Sequence, residues 1–96
     1  MKTDDISERY ADQKVGLILR LLQDDEGDTA SVLIEGSQQA LRMLAELLLA
    51  VADEPENEGF SISPFGAGKT HFSELSELGL YIHRSPGAAQ QGTIGG

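Results

Sequence analysis

The longest run of helically spaced apolar residues, Glu35 to Asp53 (EGSQQALRMLAELLLAVAD), organises the rest of the chain. At about 100° per residue, Gln38, Gln39, Arg42, Glu46 and Asp53 fall on one arc, and Leu41, Leu44, Ala45, Leu48, Val51 and Ala52 centre the opposite side. Ala40, Met43, Leu47 and Ala50 widen the apolar arc to about 220°, whereas a helix resting on one core needs a stripe of about 100°. More than a single sheet is therefore expected to cover this helix. Ser37 is placed to accept from a free amide of the first turn, with Gly36 letting the chain bend before it. Pro55 disfavours helical geometry at the residue before it, so the helix should stop near Ala52 or Asp53.

Elsewhere the period is two. In KVGLILRLL, Val15, Leu17, Leu19 and Leu21 share one strand face, and Gly16, Ile18, Arg20 and Leu22 the other. ASVLIE, Ala30 to Glu35, alternates in the same way, and the polar QDDEGDT between them reads as a hairpin turn. After the helix, Phe60 and Ile62 alternate with Ser61 and Ser63 up to Pro64, and Leu78, Leu80 and Ile82 alternate with Gly79, Tyr81 and His83. The order ββαββ predicts an α+β fold. It is a two-layer α/β sandwich with one main helix on a four-stranded, mostly antiparallel sheet, its crossover right-handed. Residues 14–84 form the single domain, preceded by a flexible N-terminal arm (1–13) and followed by a disordered C-terminal tail (85–96).

Composition narrows the functional classes. Sixteen acidic against seven basic side chains give a net charge of −9, which argues against phosphate-backbone binding and so against nucleic acid. With no cysteine, neither disulfides nor thiolate-bound zinc enter the picture. The N-terminal MKTDDISERYADQK has no apolar signal core, and no apolar run approaches the roughly 20 residues of a membrane span. The expectation is a cytoplasmic protein.

Candidate chemistry is sparse. GAGKT, Gly66 to Thr70, resembles part of a phosphate-binding loop, but Ser63 stands where a glycine is required and no substantial apolar helix follows. His71 and Glu74 share helical spacing, yet no set of three or four convergent metal ligands is identifiable, and no nucleophile-elbow pattern occurs. No cofactor, metal or catalytic residue is assigned, and no enzyme activity is expected. The long 65–77 connection is read as anchored by Phe65, Phe72 and Leu75.

Surfaces offer more. Asp24, Asp25, Glu26 and Asp28 in the hairpin turn, with Glu54, Glu56 and Glu58 after the helix, are candidates for meeting a basic partner. Ile18, Leu33 and Tyr81 on the outer sheet face, with Met43 and Leu47 on the wide helix arc, are candidates for a dimer or partner face.

The run VLIEGSQQALRMLAELLLAVAD followed by FSISPF resembles a small immunity-protein family of bacterial polymorphic toxin systems, the one numbered thirty-two. Ile34, Gly36, Leu41, Leu44, Ala45, Leu48, Ala52 and Pro64 carry the likeness, which covers the middle third of the chain. Ala40, where the helix motif has glycine, and Ser61 and Ser63 depart from the pattern. The resemblance implies a small cytoplasmic protein that binds and neutralises a cognate toxin, with no catalytic role, and the acidic loops make a basic toxin domain the expected partner. The alternatives are a structural homodimeric subunit and, third, a small-ligand enzyme.

Overall fold

A computed structural model describes residues 2–23 and 30–86. They form a small α+β fold: α1 (Thr3–Tyr10), β1 (Ile18–Gln23), β2 (Ala30–Glu35), α2 (Gln38–Asp53), β3 (Gly59–Ile62) and β4 (Leu80–His83). Short 3-10 turns at Ala11–Gln13 and Lys69–His71 complete the order. No described helix is long and apolar enough to cross a membrane.

The central helix starts as its sequence requires. The Ser37 hydroxyl accepts from the Ala40 amide at 3.1 Å and donates to the Val15 carbonyl at 2.7 Å, so one side chain caps α2 and fixes it to the approach to β1. The other end carries Asp53 and Glu54 against the negative pole of the helix dipole, and a cation answers them. The Arg84 guanidinium donates to the carbonyls of Val51 (2.7 Å), Glu54 (3.0 Å) and Pro55 (3.3 Å), while Asn57 Nδ2 donates to that of Ala50 at 3.1 Å. The Ala50 and Val51 carbonyls in the last turn of α2 are thus satisfied by side chains that come from beyond the helix.

The strands depart from the expected single sheet. β1 pairs antiparallel with β2, Leu19 facing Ile34, and β3 pairs antiparallel with β4, Phe60 facing Ile82, as two separate two-stranded sheets. Among the described residues the expected four-stranded sheet is not formed, and the connection between Ile62 and Leu80 takes up one edge of the first hairpin. Its backbone lies along the outer edge of β1: Leu17 donates to the His71 carbonyl and accepts from Ser73, and the Leu19 carbonyl accepts from Glu77 and Leu78. Ser76 Oγ accepts from the Leu19 amide at 2.9 Å. A loop thus occupies the β1 edge of this hairpin.

Residues 1–13, expected as a flexible arm, are a second correction. Thr3–Tyr10 is helical, and Ile6 and Tyr10 are buried against α2. Two apolar residues four apart make a one-sided helical turn, and α2 supplies the surface that a short helix needs. Glu46 of α2 accepts from both the Arg9 guanidinium and the Tyr10 hydroxyl, locking the two helices. Of the tail expected at 85–96, Ser85 and Pro86 have no regular structure; 87–96 lie outside the described residues.

The core gathers Ile6, Tyr10, Val15, Leu17, Leu19, Ala40, Met43, Leu44, Leu47, Ala50 and Ile62, with Phe60, Phe72, Leu80 and Ile82 packed around it. One glycine is indispensable to it. Gly68 has φ +82°, and a Cβ there would lie 2.2 Å from Ile62 Cγ2, so both backbone and space exclude any side chain.

Candidate interaction surface

α2 is the origin of the surface. Ala40, Met43, Leu44, Leu47, Ala50 and Val51 are buried, which makes Ala40, Met43, Leu47 and Ala50 part of the inward centre of the helix and no mere widening of its apolar arc. Met43 and Leu47, expected on a partner face, have 0 % exposure and can present nothing to a partner in this fold. What remains outside is a second stripe, Leu41, Ala45, Leu48 and Ala52, spaced four, three and four, with Leu49 beside it. That spacing keeps one line along a helix and is the spacing of a helix-to-helix seam. α1 packs on the flank that carries Glu46 and Ala50, and the stripe stays exposed.

The hairpin adds to it. Leu19, Leu21, Val32 and Ile34 share one face; Leu19 is buried in the core, whereas Leu21, Val32 and Ile34 remain about half exposed or more. The hairpin therefore projects beyond the core that its base helps to build. Ile18 and Leu33, named from the sequence, are half-buried on its other face. Tyr81 is exposed on the second sheet, tilted against His83 with ring centroids 5.7 Å apart, so the three do not share one sheet face.

The acidic candidates separate. Asp24, Asp25, Glu26 and Asp28 lie outside the described residues. Glu54 is half-buried, and Glu56 and Glu58 are exposed. Glu56 forms a 3.1 Å ion pair with Lys2, which it holds above the ordinary lysine pKa through a hydrogen bond and its charge.

The 65–77 connection is held differently from the sequence reading. Phe65 is 81 % exposed and Leu75 71 %, so neither anchors it, and Phe72 is the only one of the three that packs against the core. Pro64, His71 and Ser76 are the buried points of attachment. Phe65 and Phe72, with Lys69, Ser73 and Glu74, line an open groove of about 450 Å³. The GAGKT stretch runs into the three-residue turn Lys69–His71 and no helix follows it.

His71 is buried beneath α1, its Nε2 2.9 Å from Ser7 Oγ. Its Nδ1 has no hydrogen-bond partner. Nε2–H donating to Ser7 leaves Nδ1 as a bare acceptor, the less costly of the two orphans. Burial lowers the imidazole pKa. No carboxylate completes this Ser–His contact through Nδ1, so it works as a tie between α1 and the loop. The sequence signal that could have found it is weak: an isolated His flanked by Thr70 and Phe72, and a Ser one residue after Ile6. Among the described residues no three His, Asp or Glu side chains are grouped to hold a metal ion.

Comparison of this chain with family models, with curated proteins and with solved structures finds no match.

Proposed function

We propose that the protein is a non-catalytic protein-binding module whose contact surface is the outer stripe of α2 together with the projecting hairpin. The supporting observation is the set Leu21, Val32, Ile34, Leu41 and Leu48, about half exposed or more. These side chains leave about half of their apolar surface or more open on the helix stripe and on the hairpin, where exposed apolar residues that cluster commonly mark a binding surface. Burying them against a folded partner would contribute through the hydrophobic effect at about 25 cal/mol per Å², before the costs of association. The resemblance to immunity proteins supplies the partner class, a bacterial toxin domain met in the cytoplasm. Acidic Glu54, Glu56 and Glu58 would then add to the rate of encounter with a basic toxin more than to affinity.

The test is co-elution with the toxin encoded beside the gene, using the wild-type chain and the Leu41→Gln/Leu48→Gln variant. The proposal expects the wild type to co-elute and to suppress toxicity, and the variant to do neither. Co-elution untouched by the two substitutions would place the interface elsewhere, and no co-elution with undiminished toxicity would remove the toxin.

A further inference from the structure

We infer that the open edge of β2 pairs with β2 of a second copy of this chain, joining two hairpins into one antiparallel four-stranded sheet. The inference rests on the reading that the hairpin is a contact surface and names what covers its edge. It starts from the direction of backbone groups. Leu19 turns its amide to Ser76 Oγ and its carbonyl to the amides of Glu77 and Leu78, away from β2. In an antiparallel ladder this makes Leu19–Ile34, and Leu21–Val32 two residues on, the pairs that do not hydrogen-bond to each other. The N–H and C=O groups of Val32 and Ile34 consequently point out of the free edge, and among the described residues no hydrogen bond reaches them.

Edge strands in solution are usually guarded by an edge lysine, a proline, a bulge or a covering loop. The edge of β1 has its loop. Among the described residues β2 has none of these devices, and at its outward-directed positions it carries Val32, 60 % exposed, and Ile34. A two-stranded hairpin projecting on its own is also marginal in water, and a third and fourth strand remove that weakness.

A second copy fits this edge better than an extended peptide because the strand is complementary to itself. A two-fold axis through Leu33 sets Val32 opposite Ile34 of the second copy, Leu33 opposite Leu33, and Ser31 opposite Glu35, so apolar pairs meet and no like charges face each other.

Sedimentation velocity of the full chain from low to high micromolar concentration tests the pairing, together with two variants. The wild type should pass from monomer to dimer, and added salt should strengthen the dimer by screening two chains of charge −9. Val32→Lys, at an exposed position, should remain monomeric throughout. Since the chain has no cysteine, Leu33→Cys should give a disulfide-linked dimer on mild oxidation. Directly opposed residues in a non-hydrogen-bonded pair lie about 4.5 Å apart at Cα, inside the range a disulfide spans. Ser61→Cys, exposed on β3, serves as the control and should cross-link no faster than collision allows. A monomer at every concentration, or a dimer that survives Val32→Lys and cross-links no better at 33 than at 61, would overturn the inference. If self-association fails while Leu41→Gln/Leu48→Gln still abolishes partner co-elution, the pairing falls and the protein-binding reading stands.

Discussion

His71 shows how one side chain can decide how a segment docks. Its ring is sealed beneath α1, makes a hydrogen bond to Ser7 and none at Nδ1, and burial holds its pKa below the ordinary 6.5. The unfolded chain therefore binds a proton more readily than the folded one below that pH. The contribution of neutral His71 is fully present above about pH 6.5 and is lost progressively as pH falls toward the lowered folded value. Urea unfolding should accordingly show a midpoint that declines as pH falls below about 6.5, with a visibly smaller decline in a His71→Gln chain. An equal slope in both would mean that His71 does not titrate with folding. None of this was legible in the sequence, because burial of an imidazole depends on which distant segment covers it, here an N-terminal helix 64 residues away along the chain.

At the scale of elements, local chemistry was readable where it is self-contained and obscure where partners come from afar. Ser37, Gly36 and Pro55 located α2 to within a residue, because capping and proline geometry act over a single turn. α1 was missed, since Ile6 and Tyr10 make a helix worth forming only when α2 is there to receive them. The single sheet was overcalled for a related reason: alternation tells which side chains share a face, and says nothing of what lies along a strand edge. The C-terminus of α2 depends on Arg84, whose three acceptors lie 29 to 33 residues earlier. Arg84→Ala should therefore lower stability by about 1 to 2 kcal/mol, a figure reduced for the partial exposure of the guanidinium. Arg84→Lys should recover only part of it, because a point charge cannot serve three carbonyls in a fork. Chemical denaturation of the two variants checks the order, and full recovery by lysine would reduce the contact to simple charge against the helix dipole.

For the whole molecule, the sequence conveyed that α2 has more apolar circumference than one core uses, but placed the surplus on the wrong residues. Periodicity gives the width of an apolar arc and leaves its inward centre to the neighbours: α1 and the two sheets pull Met43 and Leu47 inside and leave Leu41 and Leu48 out. With Leu21, Val32 and Ile34 these form the surface on which a protein-binding role and self-pairing both depend. Its central premise is that the stripe is uncovered in a single chain. The unfolding free energy of Leu41→Gln/Leu48→Gln, compared with wild type at low micromolar concentration, examines that premise most directly. Exposed positions predict a difference of no more than about 0.5 kcal/mol for each substitution. A loss of about 2 kcal/mol or more at each site, the cost of disrupting buried leucines, would show that the chain already covers its own stripe and would contradict the account.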